Sequence, residues 1–521
     1  MKKLAALVLT LTMAISLTAC GGGGGGGGTS SGSNSSGGNS SIQGSVNKKT
    51  DLVIAVSAEA VTLDPQDGWD GNSLIVMRQM YNGLVKYNNN MEIVGDLAES
   101  WDFTSDTSVT FKLKQGVKFH NGEEMTAEDV VYSIERAMES AKVKTFTANI
   151  SSVTADDTYT VTVNTSIPYA PLMSNLCHSA NYIVSKQAAE AAGDSFSMSP
   201  VGTGAFKFVQ WDSGDKIVLA RHDDYFDSEV LPSTLTFRYM SEGAARTIAL
   251  ETGEVDVVNT VAAADASRVE SESSLKLVAS VTPKIEYLSM NQKATPFANK
   301  LVRQAINYAI DRESLNLVAT SGYSQVTDSV MSSAISGYSE DVTHYEYNPE
   351  RARELLTQAG YPNGFSTYIV VGTEARNTEA VLIQSNLHDI GIEMEIKQMD
   401  STAALEAINN GENDMFLQSY NNTTGDPDTS LYMLFHSSVP ASSGNRSFTS
   451  IPEVDALLDQ GRSEIDTAKR MEIYKQVQQL LTEAAVWVPL HSIVNTAGIR
   501  ADLQGYTTHP LGYMMYDQLH Y

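Results

Sequence analysis

Cysteine is nearly missing from this chain: Cys20 and Cys177 are the only two in 521 residues. That scarcity excludes paired-cysteine zinc sites, iron–sulfur ferredoxin motifs and a disulfide framework. Basic residues are few as well, 35 Lys and Arg against 62 Asp and Glu, for a formal charge of −27. So negative a surface repels phosphate backbones and argues against nucleic acid as a partner. No stretch after the N-terminus has 18 consecutive apolar residues, so nothing there reads as a membrane span. The GxSxG, HExxH and GxxxxGK[ST] signatures of hydrolases, metalloproteases and nucleotide-binding loops do not occur. The nine histidines are scattered, with no pair at i, i+4. Nothing here supports an enzyme, a metal centre or a cofactor, and none is expected.

What is present is globular composition, 42% hydrophobic and 19% charged, with length for roughly two to four domains. The N-terminus reads as an address. Lys2 and Lys3 precede a largely apolar stretch, Leu4 to Leu17, shorter than the roughly 20 residues that span a bilayer. Leu17-Thr18-Ala19-Cys20 follows and resembles the bacterial lipobox. The resemblance implies cleavage before Cys20 and lipidation of its sulfur. After it comes a Gly/Ser/Asn run over residues 21–47, opening with Gly21–Gly28. Such a segment has no apolar periodicity from which to build a core. It forms a flexible coil of roughly 30 Å, enough to hold a folded body near a membrane. With Cys20 so used, Cys177 reads as a small buried hydrophobe.

The body begins near Thr50 and mixes strands with helices. Leu52–Val56 is a continuous apolar run of the buried-strand kind. Strand-like alternation recurs at Val109–Leu113, Tyr159–Val163, Lys216–Ala220 and Thr234–Tyr239. Thr126 with Asp129 predicts a capped helix start. Asn348-Pro349 opens another helix, which Gly360 stops. Further helices are predicted over Phe297–Ile310, from about Glu379 to Gly391, and from Asp466 to before Pro489. The alternation predicts an α/β body without a short internal repeat.

Several segments, in order, resemble the extracytoplasmic solute-binding proteins of the dipeptide-, oligopeptide- and nickel-binding family, which serve ABC importers. They are Thr62-Leu63-Asp64-Pro65, Met80–Val85, Leu97–Trp101 and Thr110–Glu123, then Thr126–Ser133 and Pro200–Phe206, and last Val302–Asp311, Asn348–Tyr361 and Asp426-Pro427. Many have plain structural meanings: Asn121-Gly122 is a hairpin-turn dipeptide, and Gly202 and Gly204 suit a close backbone approach.

The resemblance implies a two-lobed periplasmic-binding-protein-like fold with an extra inserted domain. It sets a signal at residues 1–19, a lipidated tether at 20–49, and parts of the lobe 1 core at 50–81, 200–282 and 486–521. The inserted domain takes 82–199 and lobe 2 takes 283–485. The chain crosses between lobes twice, near 280 and near 486, and ligand sits in the cleft between them.

Two stretches face ligand in that family. Here they supply Gly68, Trp69 and Asp70 after the Leu-Asp-Pro, and Tyr420, Asn421, Asn422, Thr423 and Asp426 around the Asp-Pro. Trp69 stands among Asp, Gly and Asn, where no amphipathic face accounts for it, and it suits an aromatic pocket wall; a loop Trp folded onto its own domain is the plainer alternative. Peptide-binding relatives often carry an aspartate just before the Asp-Pro that pairs with the ligand α-amine. Thr423 occupies that place, which leaves Asp426 or Asp428 as substitutes, while Asp426 can equally cap a helix. Arg376 lies where some relatives hold the ligand carboxylate, with a surface arginine as the alternative.

The implied function is a membrane-anchored importer component that captures short peptides by lobe closure. Its partners would be an ABC permease with its ATPase, and the chain would act as a monomer on the outer face of the cytoplasmic membrane. An oligosaccharide, a nickel chelate (with His436 as the nearby histidine) or a receptor or chaperone role on the same fold are the alternatives.

Overall fold

The computed structural model describes residues 49–521; the expected signal, Cys20 and nearly all of the tether lie outside them. Strands and helices alternate along the described chain. Most strands join one sheet, in the order Ile392–Gln398, Phe365–Val371, Met415–Asn421, Leu275–Met290, Trp487–Arg500, Val257–Val258, Asp51–Val56, Thr234–Tyr239, Lys216–Arg221 and Phe206–Asp212. Asp51–Val56, the apolar run of the sequence, lies between two parallel neighbours, Thr234–Tyr239 and Val257–Val258. Burial on both faces is why it lacks polar alternation.

Two long strands at the centre of this order belong to both halves of the molecule. Leu275–Met290 and Trp487–Arg500 run antiparallel and pair from Leu275↔Arg500 to Ser289↔Trp487. At one end they join the sheet around Asp51–Val56, with a core of Leu52, Ile54, Phe206, Phe237 and Tyr516. At the other end they join Met415–Asn421 and Phe365–Val371, between a core around Ile306, Ile383 and Leu387 and another around Phe435, Tyr474 and Leu481. These are lobes 1 and 2. The ribbon's register breaks between Val281 and Ile285 and between Glu286 and Tyr287. Pro283 sits in the first break and Pro489, opposite Tyr287, in the second, where a missing N–H is tolerated. Opposite the first break stand Ser492–Val494 of the strand Trp487–Arg500. At the lobe 2 end, Tyr287 stacks on Trp487 with ring centroids 3.6 Å apart.

A separate antiparallel sheet is built from Ala98–Ser105, Ser108–Leu113, Thr160–Thr165 and Ile150–Asp157. With the helix Ala127–Glu139 it encloses its own core around Phe111, Val130, Ile134 and Val163. Asp129 accepts from the Thr126 backbone N–H at 3.0 Å, the cap expected from the sequence. This unit is fastened to lobe 1 by Arg136, which pairs with Asp64 and donates to Gln66 Oε1 at 2.8 Å. That fixes the meaning of the Leu-Asp-Pro aspartate: it is an internal anchor.

Gly204 N–H donates to Met80 O at 2.9 Å, and a Cβ on Gly204 would lie 2.4 Å from the Met80 carbonyl carbon. Glycine here lets the chain lie against the end of the helix Gly71–Met80. The remaining helices match their expected caps: Asn348 caps Pro349–Gln358 and Asp466 caps Thr467–Glu483. The helix expected from about Glu379 begins earlier, at Glu374, because Thr373 accepts at its N-terminus. Among the described residues, no helix is long and apolar enough to cross a membrane.

Candidate functional site

In open α/β sheets ligands collect beyond the C-terminal ends of parallel strands. In lobe 1 those ends lead to Asn259 and toward the helix Gly71–Met80; in lobe 2 they lead to the helix Glu374–Asp389 and to Asn421. The ribbon brings the two sets together. A cavity of about 140 Å³ opens beside it, lined by Gly71, Leu74 and Arg78 of lobe 1, Asn421 and Thr423 of lobe 2, and Tyr513 of the C-terminal segment.

Two of the residues singled out in the sequence line this cavity, Asn421 and Thr423. Asn421 is exposed, Thr423 is half-buried, and among the described residues neither side chain is engaged by another. Trp69 stands just before the helix that forms the lobe 1 wall. It is 41% exposed and meets Phe146 edge-on at 5.5 Å. Phe146 in turn stacks on His178 at 3.6 Å. Gly68 beside it is held close: a Cβ would meet Thr62 Cγ2 at 2.9 Å.

Four others are committed inside the protein. Asp70 caps the helix, accepting from Ser73 N at 3.0 Å. Tyr420 points to the opposite face of its strand from Asn421; it packs on the lobe 2 core and its hydroxyl donates to Thr429 O at 3.0 Å. Asn422 is 1% exposed. Its amide donates to Asp426 O and Ser430 Oγ, both at 2.7 Å, and its oxygen accepts from Gly425 N at 3.0 Å. Asp426 is not free to meet a ligand amine. It is 2% exposed, caps Pro427–Phe435, and is held by Arg470 at 2.6 and 2.8 Å and by Ser174 at 2.7 Å. Burial raises its proton affinity, but the Arg470 guanidinium and the Ser174 hydroxyl outweigh this and keep it below the usual carboxylate range. Asp428 is likewise taken, by Arg462 at 2.8 Å. The Asp-Pro signature therefore builds a buried ionic joint.

Arg376 sits at the start of Glu374–Asp389, donating to Glu286 at 2.8 Å and Ser419 at 3.1 Å. Glu379, 8% exposed, is close by, and one of its oxygens has no partner among the described residues. Burial, and then the negative charge of Glu286, push its carboxyl up to about 7 against the opposing pull of Arg376. His436 stacks on Tyr432 and accepts from the Ser438 N–H at 3.1 Å. Among the described residues, no cluster of three or more His, Cys, Asp or Glu is arranged to hold a metal ion.

Sequence reasoning passed over Arg78. It lies on the cavity wall with its guanidinium over the Tyr513 ring, 3.8 Å from the centroid, and its Nε and Nη1 are buried without partners among the described residues. An arginine in a helix of mixed pattern gives no local signal; only the fold shows that it lacks a counterion.

The family model of the bacterial extracellular solute-binding proteins, family 5 (middle part), matches residues 92–442. The chain belongs to this family. It is a solute-binding protein and not an enzyme, the substrate-binding component of an ABC importer. The glutathione-binding protein GsiB of Pectobacterium atrosepticum is 32% identical over 452 residues, which cover 84% of this chain and 88% of that relative. Among solved structures, the periplasmic binding protein DppA from Helicobacter pylori in complex with the peptide STSA aligns at a TM-score of 0.75 and 29% identity, over 91% of this chain and 98% of that one. HbpA2 from Haemophilus parasuis aligns at 0.84 and 25% identity, over 90% and 99%. The matched region includes Gly204 and the Asp426-Pro427 pair, both of which build scaffold here.

Proposed function

We propose that this chain is a lipid-anchored importer component that captures short peptides in the cleft beside the ribbon and releases them to a permease. The observation that carries this reading is a cavity lined from both lobes by polar groups without internal partners, Asn421 and Thr423 together with Arg78; an exposed Trp69 precedes the helix that carries Arg78. Amide and hydroxyl side chains suit the donors and acceptors of a peptide main chain. A wet cleft leaves room for varied ligand side chains. Relatives named for glutathione, a tripeptide, and for a bound tetrapeptide support the same class of solute. Of the family-facing residues, Gly68, Trp69, Asn421 and Thr423 are the contacts proposed. Cys20 carries the lipid, and the body works on the outer face of the membrane.

Closure follows from the two-sided lining. A solute that touches both lobes binds the closed form better than the open one, and that difference in affinity shifts the population. The test is thermal denaturation against tri-alanine, glutathione, maltose and a nickel chelate. A ligand at 100 times its Kd adds about 2.7 kcal/mol to stability. Stabilisation by the peptides and not by the sugar or the metal is expected; stabilisation by the sugar or metal alone rejects the peptide reading.

A further inference from the structure

We infer that Arg78 is the anchor for a carboxylate on the captured solute, and that Asn421 and Thr423 close over the same group from the other lobe. This rests on the proposed peptide reading and gives it a direction, with the carboxylate end of the ligand against lobe 1.

Arg78 is the only arginine among the described residues with neither a hydrogen bond nor an ion pair inside the protein. Arg136 and Arg470 meet aspartates. Arg246 and Arg303, buried without an ion pair, are wrapped by backbone carbonyls, and Arg312 has both carbonyls and Asp328 at 3.9 Å. Even Arg376 is spent on Glu286 and Ser419. Arg78 alone has two enclosed nitrogens that donate to nothing. A buried donor without an acceptor costs stability, more so when it is charged. Its persistence in the wall of an interlobe cavity is that of a group whose acceptor arrives with the solute.

The surroundings choose an anion. The guanidinium lies over the Tyr513 ring, which stacks in turn on His509 with centroids 4.1 Å apart, so its plane is fixed before ligand arrives. Nearby, His178 uses Nδ1 to accept from Ala180 N at 3.2 Å, which leaves the proton on a buried Nε2 that also lacks an acceptor. Donors are in surplus on this side. The carboxylates are in surplus on the other, where Glu286 and Glu379 share Arg376. A planar guanidinium with free N–H groups matches a carboxylate at two points. Asn421 and Thr423 add a donor amide and a hydroxyl from across the cavity. One anionic group thereby ties the lobes together.

The experiment is calorimetric titration of wild type and Arg78→Met with tri-alanine and its C-terminal amide, and with glutathione and its glycine ethyl ester. In wild type each free acid binds about 10- to 100-fold tighter than its blocked form, the range of a charged hydrogen bond. In Arg78→Met each acid falls to the level of its blocked form, while the blocked forms keep their wild-type affinity. Equal loss for acid and blocked form, or no loss for the acid, overturns the assignment. If wild type binds none of the four, the peptide reading fails, and the melting temperature of the ligand-free proteins decides for Arg78. A ligand-receiving guanidinium is a liability in the empty protein, so Arg78→Met melts at the same temperature or higher. A lower melting temperature means a structural arginine and overturns the assignment in every case.

Discussion

Asp426 and Arg470 form a two-point ion pair inside the molecule, Nη2 to Oδ1 at 2.6 Å and Nη1 to Oδ2 at 2.8 Å, with both side chains under a tenth exposed. Ser174 donates to the same carboxylate at 2.7 Å, and Ala170 N donates to Arg462 O at 2.9 Å. The signature Asp-Pro therefore joins lobe 2 to the unit built around Phe111. Removing one member of such a pair strands the other charge. Arg470→Met should lower unfolding free energy by about 3–5 kcal/mol, and Ser174→Ala by about 1 kcal/mol. Denaturant midpoints measure both.

Trp69, a proposed ligand contact, and Tyr420, packed on the lobe 2 core, should respond differently to substitution. Trp69→Ala should weaken solute binding about tenfold or more, the scale of one aromatic contact, and leave the melting temperature nearly unchanged. Tyr420→Phe removes the hydroxyl that donates to Thr429 O. It should cost about 1 kcal/mol of stability without altering affinity. Titration calorimetry beside thermal melts reads both, and the reverse pattern would exchange their roles.

Glu379 gives the protein a pH signature. Its carboxyl is raised from 4.5 to about 7, chiefly by burial and then by Glu286. Between those values the folded protein holds a proton that the unfolded chain has released. Its contribution to stability is therefore full below the unfolded pKa, declines as pH rises through the folded one, and is flat above. Glu379→Gln removes the decline. Relative to wild type it should gain on the order of 3 kcal/mol between pH 4 and pH 8. The buried neutral histidines act oppositely: His178, held down at about 3 by burial and then by Arg78, contributes stability lost as pH falls below the ordinary histidine range. The difference between Glu379→Gln and wild type, followed by chemical denaturation at each pH, isolates the carboxyl from that background.

Cys20 supplies the fourth prediction. Cys20→Ser should move the protein from the membrane pellet to the soluble fraction and abolish incorporation of labelled fatty acid, with solute affinity unchanged. Equal membrane association of the two proteins would remove the lipid anchor.

The strands with a clean apolar run or alternation, and the helices with a capping residue, were readable because local chemistry alone decides them; Thr126 with Asp129 and Asn348-Pro349 are examples. The ribbon was not, since Pro283 and Pro489 break the two runs that form it, and nothing local reveals that each proline falls at a register break. For the site, Asn421 and Thr423 could be placed near the cleft by resemblance. Their neighbours Tyr420 and Asn422 face elsewhere because a strand turns alternate side chains to opposite faces and a tight turn consumes its own asparagine. Arg78 was invisible for a different reason: a missing partner is a property of three-dimensional surroundings, and no spacing in the chain encodes it.

The ribbon strand Leu275–Met290 leads out of lobe 1 and its antiparallel partner Trp487–Arg500 leads back beside it, so the segment between Met290 and Trp487 begins and ends at one place. The cavity residues Asn421 and Thr423 are thus carried on one uninterrupted segment with adjacent ends. Exchanging that segment between relatives would re-specify one wall of the cleft, and the Asp426–Arg470 pair would travel with it while Ser174, its partner, stays with the host chain.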